Sequence, residues 1–307
     1  MTDPPDLPRP ICDYEGSRYR TEFWGEGRDY EDAVERVALQ ALLPPTGGRI
    51  VEIGAGYGRL APLYAGYDEV VFFDYALSQL RQAQDLWGNS GSGGDPRYVY
   101  VAGDFYALPF AAGAFDTVTT IRTLHHASDA AAVLHGIAEI LGPGGTFVLE
   151  FANKHNLKAM ARYLMHRQEW SPYDLEPVEF VELNFNFHPE WVRDRLAEEG
   201  LELQRIRTVS HFRVGLLKRT LPTSLLARLD RALQPSGESF QVSPSVFVQS
   251  TAPTDRAPAP EGSLFRCVAC GAERLQVDGK DVLACSGCGA RYAIRDGVYD
   301  FRAPLEA

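Results

Sequence analysis

The chain has 307 residues, with 30 lysines and arginines against 41 aspartates and glutamates, giving a net charge of −11 at pH 7. That balance excludes nonspecific nucleic-acid binding by the whole surface and leaves only a local patch for any polyanion. Hydrophobic residues at 45% and charged residues at 23% suit a folded globular protein of one large domain plus something smaller, and with no long uncharged apolar run or signal peptide, a cytoplasmic protein without a transmembrane segment is expected.

Residues 1–45 read as an N-terminal cap segment and a helix. The opening stretch is proline-rich and lacks periodicity but carries Tyr14, Tyr19, Phe23 and Trp24. Those rings must be covered, either over the open end of a ligand cleft or against the side of a domain. Ala33, Val34, Val37, Ala38, Ala41 and Leu42 then recur at helical spacing and predict a helix over 30–43, ended by Pro44 and Pro45.

The apolar run of residues 50–53 breaks into Gly54, Gly56 and Gly58 just after Glu52, which predicts a buried strand, a tight glycine turn and a helix starting near Arg59. Glycines let the main chain take positive φ and let a ligand come close to it. A turn without any ligand has the same local signature. A dinucleotide fingerprint would read G-x-G-x-x-G with its pyrophosphate at the helix N-terminus. Here the spacing is Glu-x-Gly-x-Gly-x-Gly, and the carboxylate suits a ligand with a cationic end. The segment resembles the first motif of class I S-adenosylmethionine-dependent methyltransferases.

Farther along, residues 70–73 predict a second strand closing on Asp74, with a helix from about Ser78; capping that helix is the alternative role for Asp74. Residues 89–96 read as a surface loop, and residues 98–102 as a third strand leading to Asp104 and Phe105. Three carboxylates thus end three successive strands. The resemblance implies that Glu52, Gly54, Ala55, Gly56, Tyr57 and Gly58 face the cofactor, that Asp74 with Tyr75 takes the ribose, and that Asp104 and Phe105 hold the adenine. A fourth strand over 115–121 leads into Arg122 and the pair His125 and His126, where the resemblance places Arg122 beside the cofactor and the transferred methyl near His126. His126 is a candidate base for a hydroxyl or ring-nitrogen acceptor, or a structural residue at a helix start.

A helix over 130–141 and a strand over 146–151 complete five strand–helix units. Residues 154–170 and 216–234 read as inserted helices, the second with Leu225, Leu226, Leu229 and Leu233 on one face. Both insertions carry basic residues, which allows a lid over the acceptor with local anionic or RNA contacts, or simply solvated amphipathic helices. A helix from Pro189 and strands over 201–209 and 243–250 stand where the resembling fold places its last helix and last two strands, and the resemblance implies a Rossmann-like α/β/α sandwich of seven strands over 46–250, six parallel and the last antiparallel.

Residues 251–263 form a proline- and alanine-rich linker. Beyond it, Cys267-x-x-Cys270 and Cys285-x-x-Cys288 are separated by fourteen residues, the spacing of two knuckles that close a tetrahedral zinc site. Residues 264–307 are therefore expected to be a separate zinc ribbon serving stability or docking, whose loss spares the cofactor site, with Cys12 a bystander. Residues 290–301 resemble a small zinc-ribbon protein that binds and activates methyltransferases acting on tRNA, rRNA and release factors. The expected activity is methyl transfer to an acceptor that the sequence does not specify, a small molecule ahead of RNA or protein. A non-catalytic scaffold docking through its ribbon, or an NAD-dependent oxidoreductase, is the alternative. The sequence leaves the oligomeric state open.

Overall fold

The structure is a computed structural model that describes residues 9–25, 27–88, 97–273 and 275–306. The loop expected over 89–96 lies outside the described residues. Strand β1 (Gly47–Ile53) sits in the middle of the sheet because Ile50, Val51 and Ile53 are apolar on both faces, as a strand covered on both sides requires. It pairs in parallel with β2 (Tyr67–Asp74) on one side and β4 (Phe115–Thr120) on the other. Outward from β2 lies β3 (Tyr98–Ala102); outward from β4 lie β5 (Leu141–Ala152), β9 (Ser245–Thr251) and β8 (Glu202–Val209). Strand β9 runs antiparallel to both of its neighbours, so six of these seven strands share one direction, as expected. The chain order reverses between β1 and β4, the crevice where ligands bind in open sheets of this kind.

Two cores flank the sheet. Helices α1 (Asp29–Leu42) and α2 (Leu77–Trp87) cover one face through Val34, Ala38, Leu39, Leu80 and Ala83. Helices α3 (Ala130–Ile140) and α5 (Pro189–Glu198) cover the other through Val133, Leu134, Ile137, Val192 and Leu196.

Four local expectations fail for physical reasons. No α-helix follows the glycine turn: Gly54, Gly56 and Gly58 all take positive φ, Pro62 intervenes, and only a 3-10 turn (Ala61–Tyr64) forms before β2. The first inserted helix, α4 (Leu157–Leu164), is shorter than 154–170 and is followed by a hairpin of β6 (Val178–Val181) and β7 (Asn184–Asn186). The second insertion breaks at Pro222 into α6 (Gly215–Thr220) and α7 (Thr223–Leu233). Leu226 packs inward with Asp230, whereas Leu225, Leu229 and Leu233 face outward, so the four leucines do not share a face.

The tail does not stand apart. Its strands β10 (Leu275–Asp278), β11 (Val282–Cys285), β12 (Arg291–Arg295) and β13 (Val298–Asp300) form a meander, and β13 pairs in parallel with β3, Val298 opposite Tyr100 and Asp300 opposite Ala102. Phe265 bridges to Phe110, and Tyr292 and Phe301 join the α3-side core. The edge that β3 would otherwise expose is thereby covered, and the sheet extends to eleven strands.

Candidate active site

The glycine turn after β1 shapes the floor of the site. At Gly54, φ is +77° and a Cβ would lie 2.0 Å from Thr123 Oγ1, so the turn packs directly on the segment after β4. At Gly56, φ is +54° and a Cβ would meet nothing closer than the Tyr19 ring at 4.0 Å, so its backbone is open to a ligand. The Gly56 N–H donates to Asp74 Oδ2 at 2.7 Å and the Ala76 N–H to Asp74 Oδ1 at 2.9 Å. Asp74 thus ties the turn to the start of α2 while remaining in the wall of the site. Burial pushes its carboxyl up to about 6 even though the N–H donors pull the other way.

Glu52 lies beneath the turn, 3% exposed, and its Oε2 finds no hydrogen-bond partner among the described residues. Burial raises its carboxyl to about 8, with the Arg59 guanidinium opposing that shift. A buried carboxyl with one oxygen unpaired, close to an open glycine turn, is chemically suited to a cationic ligand such as the ammonium and sulfonium of S-adenosylmethionine.

A cavity of about 150 Å³ lies above this floor and opens to solvent. Among the residues expected from the sequence, the structure brings Gly54, Gly56, Asp74, Tyr75, Phe105, Arg122 and His126 into its wall, whereas Glu52, Ala55, Tyr57, Gly58 and Asp104 do not line it. Asp104 accepts the Tyr106 N–H at 2.8 Å, which orders the turn that presents Phe105. The N-terminal aromatics take the first of the two places open to them: Tyr14, Tyr19 and Phe23 roof the cavity. Cys12, expected to be a bystander, lies in the same roof.

Behind Arg122 is an ion cluster that periodicity alone does not reveal. Glu35, 1% exposed on α1, accepts Arg122 Nε at 2.6 Å and Arg59 Nη2 at 2.8 Å, and Arg59 also pairs with Asp32. The Arg122 N–H donates to buried Glu150, and Arg59 lies 3.8 Å from the centre of the Trp24 ring. Two guanidiniums on one buried carboxylate hold Arg122 at φ +56°, a costly backbone angle for a residue with a side chain. The one signal in the sequence was a glutamate on the apolar stripe of a helix.

His126 follows β4 in a short 3-10 turn (Leu124–His126). Its Nδ1 lies 2.9 Å from the carbonyl oxygen of Leu183, at the tip of the β6–β7 hairpin. A carbonyl oxygen only accepts, so Nδ1 carries the proton and Nε2 keeps its lone pair. The Tyr14 hydroxyl donates to that lone pair at 3.1 Å. Burial moves His126 below the usual histidine range, which keeps the imidazole neutral near pH 7, and His125 beside it is shifted in the same direction by burial and by its neighbour's charge.

The insertions bring no cation to this cavity: among the described residues in its wall, Arg122 is the only lysine or arginine. Lys154 donates to the Glu176 carbonyl, Lys218 pairs with Glu31, and Arg207 pairs with Glu238. The lid expected from their basic residues is therefore not a cationic wall around the acceptor space.

In the tail, the sulfurs of Cys267, Cys270, Cys285 and Cys288 lie within 4.8 Å of one another. Cys267 and Cys288 are 3.7 Å apart, as are Cys270 and Cys285. A tetrahedron with ~2.3 Å metal–sulfur bonds has edges of about 3.8 Å, so the cluster could hold a metal ion. The Tyr292 hydroxyl, 3.3 Å from Cys267 Sγ, is a neighbour of the kind that orients ligands.

Residues 51–149 match the methyltransferase domain family. The 27-O-demethylrifamycin SV methyltransferase of Amycolatopsis mediterranei is 30% identical over 63% of this chain and 79% of its own length. The demethylmenaquinone methyltransferase of a Roseiflexus species is 35% identical over 39% of this chain, which spans 48% of that relative. Among solved structures, an S-adenosylmethionine-dependent methyltransferase of Thermotoga maritima superposes with a TM-score of 0.54 at 19% identity, covering 78% of this chain and 97% of that one. A chain from the complex between the Haloferax volcanii Trm112 methyltransferase activator and a methyltransferase gives a TM-score of 0.52 at 18% identity, covering 76% and 96%. These two likenesses establish the fold.

Proposed function

We propose that this chain, which belongs to the S-adenosylmethionine-dependent methyltransferases, methylates a hydroxyl of a small organic acceptor. The observation that carries the reading is the unprotonated Nε2 of His126, its lone pair set by the Leu183 carbonyl on Nδ1 and met by the Tyr14 hydroxyl, in the wall of the same cavity as Gly56 and Asp74. S-adenosylmethionine supplies, when bound, an electrophilic methyl whose bonding electron pair stays with sulfur. Around it, Asp74 would take the ribose hydroxyls, Phe105 would pack on the adenine, and Glu52 would balance the cationic end. His126 Nε2 accepts the proton that the acceptor hydroxyl gives up, while the walls hold that oxygen close and in line, the larger part of the acceleration in a displacement of this type. Relatives named for the methylation of demethylrifamycin and demethylmenaquinone support a small acceptor over RNA or protein, and a wall poor in cations supports a neutral one.

The tail extends the reading. We infer that its four cysteines hold zinc, since a closed four-thiolate set leaves no position open for water and suits a structural ion. Zipped onto β3, it would support in the same chain what the Trm112 activator supports as a partner of the Haloferax methyltransferase.

Incubating the protein with S-adenosylmethionine labelled in the methyl group and a cell extract split into small-molecule, protein and RNA pools tests the proposal. Label is expected in the small-molecule pool; label confined to RNA or protein would overturn it. With an acceptor in hand, His126→Ala is expected to lower kcat by about 10² to 10⁴-fold with cofactor affinity unchanged. Because protonation abolishes the base and the folded value lies below the usual one, the wild-type rate should fall only as the pH drops below about 6.5. The alanine variant should lose that acid limb, and a retained limb would assign it to another group.

A further inference from the structure

The roof of the cavity is a strap of the chain itself, and Tyr14 is the part of it that reaches the base. Its hydroxyl donates to His126 Nε2 at 3.1 Å, its ring lies edge-on to the imidazole with centroids 5.6 Å apart, and the Tyr19 ring packs on it at 5.1 Å. A lone pair engaged by Tyr14 cannot take a proton from an acceptor, and the acceptor hydroxyl must sit where the Tyr14 hydroxyl now sits.

We propose that Tyr14 is a built-in stand-in for the acceptor: it occupies the acceptor subsite, the acceptor presents a planar aromatic hydroxyl to the same nitrogen, and it enters by displacing Tyr14. The inference rests on the reading of His126 as the base. Three observations carry it beyond that reading. The place beside Nε2 is already filled by a phenol. The Tyr19 and His126 rings flank that phenol, so an aromatic acceptor restores the edge contacts that Tyr14 gives up, whereas an aliphatic alcohol does not. Two of the hydrogen bonds that hold the strap to α2 are exposed and can be replaced by water, the Gly16 N–H to Ser78 Oγ at 2.9 Å and the Ser78 N–H to Glu15 Oε2 at 3.2 Å. The shift of His126 below its usual range fits the same conclusion, since a weak imidazole base is better matched to a phenol, which ionises near 10, than to an aliphatic alcohol.

Displacement predicts a penalty that the wild type carries and a variant lacks. When only a fraction of the molecules have the subsite open, the apparent affinity for the acceptor is reduced by that fraction. Tyr14→Phe keeps the ring and removes the donor, so with 2-naphthol or catechol as acceptor the KM is expected to fall at least fivefold while kcat stays within twofold, and cyclohexanol should remain a poor acceptor for both proteins. A kcat lowered tenfold or more would make Tyr14 a proton relay and overturn the proposal, and an unchanged KM would do the same. A measurement on the wild type guards against a variant that fails to fold. Adding 2-naphthol with S-adenosylhomocysteine should speed amide hydrogen exchange in residues 11–23; slowed exchange would mean that the strap closes over the acceptor instead of yielding to it. Loss of activity in His126→Ala with no KM change in Tyr14→Phe would sink this inference alone, whereas full activity in His126→Ala would remove the reading beneath it.

Discussion

Replacing Asp74 by alanine is expected to lower the affinity for S-adenosylmethionine at least a hundredfold, about 2.7 kcal/mol. Both oxygens of this carboxylate are already used to shape the floor, Oδ2 by the Gly56 N–H and Oδ1 by the Ala76 N–H, and their remaining lone pairs are those proposed to take the ribose hydroxyls. Hydrogen bonds to a charged acceptor contribute ~1.5–3 kcal/mol each, so the loss of the ribose contacts alone accounts for the effect, before any loosening of the glycine turn. Asp74→Asn, which keeps one oxygen and no charge, should fall between, at roughly tenfold.

The same carboxyls give the binding a pH signature. Asp74 near 6 and Glu52 near 8 both lie above ordinary carboxylate values because burial disfavours the charged form. A cationic ligand favours the ionised forms, so S-adenosylmethionine should bind less tightly as the pH falls from 8 to 6, and more steeply so than S-adenosylhomocysteine, which lacks the sulfonium. For the ligand-free protein the sign is opposite. Each folded value is raised above the unfolded one, so the stability these groups contribute is complete below about 4 and is lost as the pH rises through 6 and then 8.

Truncation after residue 263 is expected to leave a protein that does not fold stably. The cut removes Phe265, Tyr292 and Phe301 from a core that they share with Phe110, Leu108 and Val101, and it bares the β3 edge. Burial of each such ring contributes ~1.5–3 kcal/mol, so the loss is about 5 kcal/mol or more, comparable with the whole stability of many domains. Cys270→Ser is the gentler test, because Cys270 is exposed and its change would reach the rest of the protein mainly through the metal ion that the four thiolates are proposed to hold. We expect it to lower the unfolding temperature and to weaken cofactor binding more than tenfold. The route is short: β13 fixes Ala102, the next three residues are Gly103, Asp104 and Phe105, and Arg302 donates to the Tyr75 carbonyl at 3.4 Å. A metal-free variant that keeps its affinity within tenfold would restore the independent ribbon that the sequence suggested.

How far the sequence could be read depended on the range of the interactions involved. Alternating glycines after Glu52, a carboxylate at the end of β2 and the paired cysteines are local patterns, and the seven-stranded order was what the resemblance to class I methyltransferases implied. Contacts between distant segments were not legible. Glu35 on α1 meets Arg59 and Arg122 only after the sheet has formed, the tip of the β6–β7 hairpin meets His126 from 57 residues away, and β13 finds β3 across nearly two hundred. The helix expected after the glycine turn failed differently, since three positive-φ glycines in succession favour a turn whatever helical spacing follows.

The cavity above Gly56 and Asp74 is proposed to bind S-adenosylmethionine. Calorimetric titration of the full chain with S-adenosylmethionine and S-adenosylhomocysteine, with Asp74→Ala as the control, tests this. Saturable binding of both is expected, one per chain, with the alanine variant weaker by a hundredfold or more. No saturable heat from either ligand at millimolar concentration, or tight binding of NADH in their place, would contradict it.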